Sequence, residues 1–449
     1  MIEIEKPLAE EPAFAAFVAL DWADKKHAWA LQTPGSRLVE EGELVNTPEA
    51  TQAWAAGLAR RFPQQLIAVG LEQRRGAVIA MLSKYAHLVL FPISPTTSAK
   101  FRQAFFPSGA KDDPGDARLL LEVLLKHRDR LAPLRPDTVA TRALQFLTED
   151  RRKLVDQMTA AGNRLTGYLK LVFPQVLPWF DVNTPVMCAL LERWPSLQKL
   201  QQAGRSTVEQ FLREHQCHDA DRNRLRVDSL ANAVAATVDP ALLEAAQLAM
   251  ATLLAQINGL RNSIAEYDAA IEKHAKAHPD CQLFSSFPGA GPALTPRLIA
   301  AFGTYRDRFA TANDVQCFTG IAPVREASGK QLWIHWRWAC PKFIRQSVHE
   351  MAGHSIRFCG WAREYYDAQR AKNKGHHAAV RALAFKWLRI MFRCWKDGVA
   401  YDEARYLQAR ATRRQAPAGP PDTPKPSTRK PKVLVSSSGG FSKLAGLEV

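Results

Sequence analysis

Four acidic residues stand at positions from which their carboxylates could act on one substrate. Asp21 and Glu72 each end an apolar stretch that reads as a buried strand, and Asp113 and Asp116 lie three residues apart at the start of a predicted helix. Residues at that spacing share one face of a helix. A buried carboxylate raises the free energy of the fold unless it is paired, hydrogen-bonded or bound to a metal. Capping of a turn explains Asp21 equally well on its own, but four acids in matching positions predict one shared pocket.

Clustered carboxylates without cysteine ligands suit hard divalent cations, Mg²⁺ or Mn²⁺, which prefer oxygen donors. Two such ions can stabilise both the attacking and the leaving oxygen of a phosphoryl transfer. In a basic protein, four acids of this kind therefore indicate cutting of nucleic acid.

Ser328 is the second candidate for chemistry. It lies between Ala327 and Gly329, in a loop that also carries the cations Arg325 and Lys330. A serine hydroxyl becomes an effective nucleophile when a base or a metal activates it and cations stabilise the charged transition state. Most serines in Ser-Gly turns are only turn residues, so a catalytic and a structural role both stay open for this position.

Two further segments of the C-terminal half are candidates for binding nucleic acid. Gly289 and Gly291 precede a predicted helix, where glycines let backbone N–H groups approach a phosphate, although an ordinary glycine-rich turn has the same pattern. Residues 331–338 alternate aromatic and cationic side chains, which can stack on bases or follow a backbone. The structural alternative for that stretch is a β-hairpin with cross-strand aromatic pairs. The predicted contacts are Gly289, Gly291, Arg325, Lys330, Trp333, Trp336 and Arg337.

One later helix also carries cations. Arg381 and Lys386 lie beside its apolar stripe. Such a face is normally solvated, but in a basic protein it can touch phosphate.

The hydrophobic pattern predicts the elements that would position the acids. Three meandering strands followed by alternating strands and helices describe an α/β domain with a mixed sheet. Sites in such sheets usually lie where the strands end, which is where Asp21 and Glu72 stand. Predicted strands cover residues 14–22, 26–32, 37–45, 66–71 and 87–93, and predicted helices cover residues 48–61, 75–85, 96–105 and 114–128.

The remainder is predicted to be mostly helical. Two long stretches, residues 136–173 and 240–276, repeat apolar residues at a helical period and indicate a coiled-coil or bundle spacer. From about Ala411 onward, prolines and cations predict a disordered basic tail. The predicted organisation is a leader (1–13), an α/β domain (14–132), a helical spacer (133–280) with a Pro- and Trp-containing insert (174–236), a C-terminal domain (281–397), and a helix end with the tail (398–449).

Charge and cysteine content restrict the partners and the compartment. The chain has 60 Lys and Arg against 44 Asp and Glu, a net charge of +16, which favours a polyanion such as nucleic acid over a merely solvated basic surface. Seven cysteines without a C-x-x-C pair indicate neither a disulfide framework nor a zinc ribbon, and reduced intracellular thiols are expected. No signal-peptide pattern and no apolar run of membrane-spanning length is found in the sequence. We expect a cytoplasmic protein without a membrane partner.

The motifs, taken in order, resemble those of an insertion-sequence transposase that joins an N-terminal RuvC-like DEDD domain to a C-terminal serine domain. This family is described as bridge-RNA-guided DNA recombinases. The matching motifs span most of residues 14–395: the strand ending in Asp21, Gly70-Leu71-Glu72, Lys111-Asp112-Asp113-Pro114-Gly115-Asp116-Ala117, Pro288-Gly289-Ala290-Gly291-Pro292, Phe318-Thr319-Gly320-Ile321-Ala322-Pro323 and Ser328-Gly329-Lys330.

The resemblance implies a fold of class α/β plus α. It combines an RNase H-like (RuvC-like) mixed-sheet domain, a long helical coiled-coil spacer, and a mostly helical C-terminal domain with a helix-hairpin-helix-like motif. It also implies a catalytic Mg²⁺ (or Mn²⁺) site formed by Asp21, Glu72, Asp113 and Asp116. Asp112 adjoins Asp113, but the spacing to Asp116 favours Asp113 as the ligand.

The same resemblance implies that Ser328 attacks the scissile phosphate to give a covalent 5′-phosphoserine link. The implied partners are donor and target DNA, a structured noncoding guide RNA that pairs with both, and further copies of the chain in a dimer or tetramer. The implied location is the bacterial cytoplasm, in association with the nucleoid. Where many relatives have two small residues and a basic run around the serine, this chain has Ala327-Ser328-Gly329-Lys330 followed by three tryptophans.

Two other functions agree with the same residues. One is a metal-dependent nuclease of the Holliday-junction type, in which Ser328 is structural. The other is a non-catalytic scaffold that binds RNA or DNA and has a degenerate acidic pocket.

Overall fold

The computed structural model describes residues 13–105, 113–329 and 331–415, without the side chains of residues 113 and 413–415. Most of the predicted leader, Lys330 and the chain beyond residue 415 lie outside the described residues. The chain divides after Pro136 into two compact units. The predicted boundary at residue 132 falls close to this division, and the predicted spacer and C-terminal domain both belong to the second unit.

The first unit has a five-stranded mixed sheet in the order β3-β2-β1-β4-β5. β1 pairs with β2, and β2 with β3, in antiparallel fashion, whereas β1–β4 and β4–β5 are parallel. This is the meander followed by alternating strands and helices that the sequence predicts, and the mixed sheet is confirmed. The elements are β1 (Phe14–Asp21), β2 (Lys26–Gln32), β3 (Glu40–Val45), α1 (Pro48–Arg61), β4 (Leu66–Leu71), α2 (Ala77–Leu82), β5 (Leu88–Pro92), α3 (Pro95–Phe105) and α4 (Asp113–His127).

Helices cover both faces of this sheet, because the central strands alternate apolar side chains towards each side. One face packs against α1 and α2, with Leu20 and Leu71 in its core. The other face packs against α4, with Ala19 and Ala68 in its core. A Cβ added at Gly70 would lie 3.3 Å from side-chain carbons of Ile93 and Leu124, so glycine permits the close approach of α4. The two faces therefore differ, and α4 covers the one that carries the candidate acids.

The second unit is mostly helical and contains one β-hairpin among its described residues. Thr138 caps the start of α5, and Asp239 caps α10 at a Pro-initiated helix, so both long helices begin at strong start signals. The elements are α5 (Val139–Val172), α6 (Pro185–Arg193), α7 (Leu197–Gln202), α8 (Arg205–Glu214), α9 (Ala220–Ala231), α10 (Pro240–Lys276), α11 (Cys281–Ser285), α12 (Gly291–Phe302), α13 (Ala312–Phe318), β6 (Val324–Ser328), β7 (Gln331–His335), α14 (Lys342–Phe358), α15 (Gly360–Arg370), α16 (His376–Asp397) and α17 (Glu403–Gln415).

The predicted spacer is an antiparallel pair formed by α5 and α10. Arg151 Nε lies 2.5 Å from Asp268 Oδ1, and Thr141 near the start of α5 bonds at 2.9 Å to His278 just beyond the end of α10. One end of the pair packs into a hydrophobic core with α6–α9. The other end contributes Leu144 and Ile271 to a second core with α11–α16. The helices of the predicted insert thus share a hydrophobic core with one end of the pair.

The chain continues as a helix where the sequence predicts the start of a disordered tail. Residues 403–415 form α17, whose Tyr406 packs against Trp361 with ring centroids 4.8 Å apart. The Asp402 side chain accepts a hydrogen bond from the Arg405 backbone N–H and so caps the helix start. Aromatic packing and this cap explain the difference up to residue 415.

By length and composition α10 is the one helix, among those described, that could cross a membrane. A core helix of a soluble protein has the same length and composition. Met250, Leu253 and Leu254 of α10 are buried in the core with α6–α9.

Candidate functional site

Asp21 and Glu72 come side by side at one edge of the first unit's sheet. Their strands are parallel neighbours with Leu20 in register with Leu71, so the two acids follow at the same level. Adjacent strands lie about 4.8 Å apart. Asp21 alternates with Ala19, whose side chain is in the core under α4, so it faces the same side of the sheet. The alternation from Ala68 gives Glu72 the same side.

Asp116 lies on α4, the helix that packs against the same face of the sheet. Its residue is only 5% exposed, beside the buried Ala117 that packs onto the sheet. Arg102 Nη2 lies 2.5 Å from Asp116 Oδ1 and neutralises this buried carboxylate. Asp113 begins α4 one helical turn earlier, and its side chain lies outside the described residues. We call Asp21, Glu72 and Asp116 the acidic site.

Helix α3 holds two of these acids through residues one turn apart. The buried Ser98 hydroxyl donates a hydrogen bond to Glu72 Oε1. Arg102, four residues later, makes the ion pair with Asp116. Four residues of helix advance about 6 Å along its axis, so Glu72 and Asp116 contact adjacent turns of α3.

The donor types of the acidic site fit a hard divalent cation. Carboxylate oxygens are the ligands that Mg²⁺ and Mn²⁺ prefer, and strand ends and one helix bring them to a single side of the sheet. Within the part of the chain that the structure describes, no group of three or more His, Cys, Asp or Glu side chains is arranged to hold a metal ion. The four-acid metal site that includes Asp113 stays a prediction.

Substitution of Arg102 tests how this site is stabilised. Arg102→Gln leaves the buried Asp116 carboxylate without its cation, and breaking a buried pair in this way costs about 3 kcal/mol. We expect the free energy of unfolding in urea to fall by about that amount without divalent ions. Added Mn²⁺ should restore part of the loss if the carboxylates bind it.

The matched control is Arg118→Gln in the same unit. Arg118 pairs with Glu41 through a side chain that is 60% exposed, and removing such a pair changes stability by less than about 1 kcal/mol. Equal urea midpoints for the Arg102 variant and the unchanged protein would show that this ion pair does not stabilise the site.

Ser98 and Arg102 are site residues that the sequence reasoning missed. In the sequence they are marked only by their spacing, as two polar residues four positions apart on the helix directly after β5. Such pairs are common on solvated helix faces, so the spacing alone did not distinguish them.

Ser328 is the last residue of β6, at the exposed tip of the hairpin in the second unit. It pairs with Gln331 across the turn, and Gly329 between them has a φ of 56°, a conformation that favours glycine. The β-hairpin predicted as the structural alternative for this stretch is confirmed. The predicted cross-strand pairs of aromatic residues are not found in it. Trp333 lies opposite Glu326, and His335 lies opposite Val324.

The two faces of the hairpin carry different side chains. Ser328, Glu326 and His335 share one face, because directly opposed residues and alternate residues point the same way. Arg325 pairs with Ile334 and lies on the other face. Arg325 is therefore not beside Ser328 as the loop sequence suggested, and Lys330 lies outside the described residues.

The pair of His335 and Glu326 gives this hairpin a pH dependence. Glu326 Oε1 lies 2.9 Å from His335 Nε2, and this hydrogen bond, with a second from the ring to the Trp336 carbonyl, raises the pKa of His335. Since the folded-state pKa is raised, the stabilisation is fully present below the ordinary histidine pKa of about 6.5 and is lost as pH rises through the raised value.

We expect an NMR titration of His335 to give a pKa above its ordinary value. Glu326→Gln should return it towards about 6.5. Arg325→Gln, on the opposite face, should move the titration much less. If the pKa of His335 is the same in the Glu326→Gln variant, the pair with Glu326 is excluded as the cause of the raised pKa.

The two glycines at the start of α12 have different environments. Gly289 has a φ of 86°, and a Cβ there would lie 2.7 Å from the Ser355 backbone nitrogen, so this close approach is made to α14. Gly291, with a φ of 51°, has open space where its Cβ would be. The packing of α14 explains Gly289 without a ligand, and phosphate binding by these two residues stays a prediction.

The aromatic and cationic residues after the hairpin are only partly free for a ligand. Trp333 is 41% exposed. Arg337 Nε donates a hydrogen bond to the Ala322 carbonyl at 3.2 Å and so fixes the segment that follows β7. Trp336 lies against Arg381 and Arg345, with guanidinium carbons 3.8 Å and 4.8 Å from its ring centroid.

Two family models match this chain. A model for the DEDD transposase of IS110 elements, described as a transposase, matches residues 18–174 and includes the acidic site. A second model, described as transposase IS116/IS110/IS902 family, matches residues 281–367 and includes the hairpin. Together the two matches cover more than half of the chain.

Proteins of insertion elements are similar over most of their length. The mini-circle putative transposase for IS117 of Streptomyces coelicolor is 24% identical over 405 residues, which cover 88% of this chain and 97% of that protein. An uncharacterized 43.6 kDa protein of insertion element IS110 from the same organism is 25% identical over 86% of this chain and 95% of its own length. A 42 kDa protein of insertion element IS900 from Mycobacterium paratuberculosis is 28% identical over 66% of this chain and 73% of its own length.

Proposed function

Since the chain belongs to the IS110 family of transposases, and is therefore a DNA recombination enzyme, we propose that it excises and inserts its own insertion element by serine chemistry supported by a divalent cation. The observation that supports the proposal is that Asp21 and Glu72 lie at the same level at neighbouring strand ends, while α3 contacts both Glu72 and Asp116.

The first unit would supply the cation site. Asp21, Glu72 and Asp116, with Asp113, would hold Mg²⁺ or Mn²⁺, which neutralises charge that develops on phosphate oxygens. Arg102 and Ser98 would keep two of these carboxylates oriented when the site is empty, and their own hydrogen bonds do not depend on substrate.

The second unit would supply the nucleophile. Ser328 Oγ attacks the scissile phosphorus, the Oγ–P bond forms as the P–O3′ bond breaks, the serine proton passes to a base or water, and a 3′-hydroxyl leaves. The product is a 5′-phosphoserine link. Attack of another strand's 3′-hydroxyl on this link reverses the step and joins new strands, so no external energy source is needed. The exposed position of Ser328 at a hairpin tip supports access to a DNA backbone.

Donor DNA, target DNA and a structured noncoding guide RNA would be the partners. The net charge of +16 supports binding of several polyanionic strands at once. In a dimer or tetramer, the acidic site of one subunit would face Ser328 of another. The helix-hairpin-helix-like segment made of α11, the turn with Gly289 and α12 would add a backbone contact.

The test combines purified full-length protein with a plasmid that carries the element and its flanks. We expect new DNA junctions, read by sequencing, only when both Mg²⁺ and a transcript of the element's noncoding flank are present. Junctions formed without the transcript would overturn RNA guidance. Nicked DNA without a protein–DNA adduct would favour the metal-only nuclease, and binding without cleavage would favour the scaffold.

A further inference from the structure

A cationic cluster in the second unit lies outside the acidic site and the serine. It consists of Trp336, Arg345 and Arg381, which we call the cationic cluster. We propose that it binds a phosphodiester group of the nucleic acid on which the enzyme acts. The inference rests on the proposed function only in taking the anion to be nucleic acid.

The position of Trp336 is fixed by its neighbours. Arg337 bonds to the Ala322 carbonyl, and the Arg337 carbonyl accepts a hydrogen bond from Arg345 Nη1 at 3.3 Å. A Cβ added at Gly320 would collide with Cys340 Sγ, so the segment after β7 packs tightly against the loop that contains Gly320. Trp336 is therefore held in a set place between α14, which carries Arg345, and α16, which carries Arg381.

The charge of the cluster is not neutralised by its surroundings. Among the described residues, neither Arg345 nor Arg381 forms an ion pair with a carboxylate. Burial lowers the pKa of Arg381, and the nearby positive charge of Arg345 lowers it further. The guanidinium nevertheless stays protonated. Arg297 on α12 is a contrast within the same unit, since its largely buried guanidinium lies 2.8 Å from a carboxylate oxygen of Glu350.

A histidine next to the cluster responds to the same positive charge. His349 lies near Arg381, and burial, together with the charges of His377 and Arg381, lowers its pKa. The His349 and His377 rings are 5.6 Å apart. A half-buried group of cations without a partner anion raises the free energy of the fold, and an external anion removes that cost.

The chemistry of the group favours phosphate carried on a nucleic acid. Arginine presents a planar fork of donors that matches two phosphate oxygens, and contact with the Trp336 ring holds both guanidinium groups in place for such a ligand. The hairpin begins next to this cluster, at the pair of Val324 and His335, and extends towards its tip. Ser328 lies at that tip, four residues after Val324. Four residues span about 14 Å, so a bound backbone could run from the cluster towards the serine.

The experiment measures binding of two labelled probes, a duplex DNA and a single-stranded RNA, by fluorescence anisotropy at several salt concentrations. We expect Arg345→Gln and Arg381→Gln each to weaken binding roughly tenfold and to reduce the slope of log affinity against log salt by about 1. A loss on DNA alone, on RNA alone or on both identifies which backbone the cluster holds, and each of these supports the site.

The matched control is Arg389→Gln, which removes the same charge from an exposed position on α16. It should leave the slope nearly unchanged. Unchanged slopes for both cluster variants on both probes would overturn the inference, and so would an equal change in the control, since that reports overall charge. If Arg381→Gln fails to fold in a thermal melt, Arg345→Gln decides alone. A changed slope in a protein that forms no serine adduct would refute the proposed function and leave the site standing.

Discussion

Asp21→Asn should lower the rate of DNA strand cleavage by roughly 10²- to 10³-fold while binding to DNA is retained. Asp21 ends β1 beside Glu72, and its carboxylate is one of the charges expected to hold the cation that stabilises the transition state. An amide keeps the shape of the side chain and removes its charge. The measurement is single-turnover cleavage of an element-end duplex at saturating protein, repeated over a range of Mn²⁺ concentrations.

Asp24→Asn is the control for this change. Asp24 lies three residues later in the exposed turn between β1 and β2, so the same charge is lost outside the acidic site. We expect cleavage by this variant to stay within about threefold of the unchanged protein, as for most surface substitutions. A protein with Asp21→Asn that cleaves at the normal rate at every Mn²⁺ concentration would remove the acidic site from the mechanism.

Ser328→Ala should abolish the covalent protein–DNA adduct and lower strand exchange by on the order of 10⁴-fold. Alanine removes the only atom of this side chain that can bond to phosphorus, and nothing else in the first unit or the hairpin is changed. The adduct is measured by its slower migration in a denaturing gel after incubation with a nicked substrate that traps the intermediate. Binding to the same substrate should be nearly unchanged.

Ser285→Ala is the matched serine control in the same unit. Ser285 is exposed at the end of α11, where its hydroxyl bonds to the Gln282 carbonyl, and its loss should leave the adduct intact. An adduct that still forms with Ser328→Ala would assign the nucleophile to another residue and favour the metal-only nuclease.

Much of the first unit could be predicted from the sequence because its strands are short, apolar and separated by clear turns. The predicted strand over residues 66–71 has the observed bounds, and the helix that starts with Asp113 was off by one residue. β3 begins at Glu40 instead of residue 37, and α2 is shorter than predicted, since weakly apolar ends give no sharp signal.

The partners of the acids could not be predicted in the same way. The pairing of β1 with β4 joins residues about 50 positions apart, and the contacts of Ser98 and Arg102 depend on where α3 packs. Likewise the sequence predicts from its neighbours that Trp336 contacts nucleic acid, whereas Arg381, which packs on its ring, comes from a helix 45 positions later. Local periodicity predicts elements, but long-range packing decides which side chains meet.

The antiparallel pair of α5 and α10 sets a length scale for the second unit. With 34 residues, α5 is roughly 50 Å long, and hydrophobic cores form at its two ends. The core that contains α12, α14 and α16 therefore does not rely on α6–α9 for its burial. A variant that lacks α6–α9, with shortened α5 and α10 joined by a tight turn, should keep the core that contains α12, α14 and α16. We expect this core to melt cooperatively at nearly its original temperature.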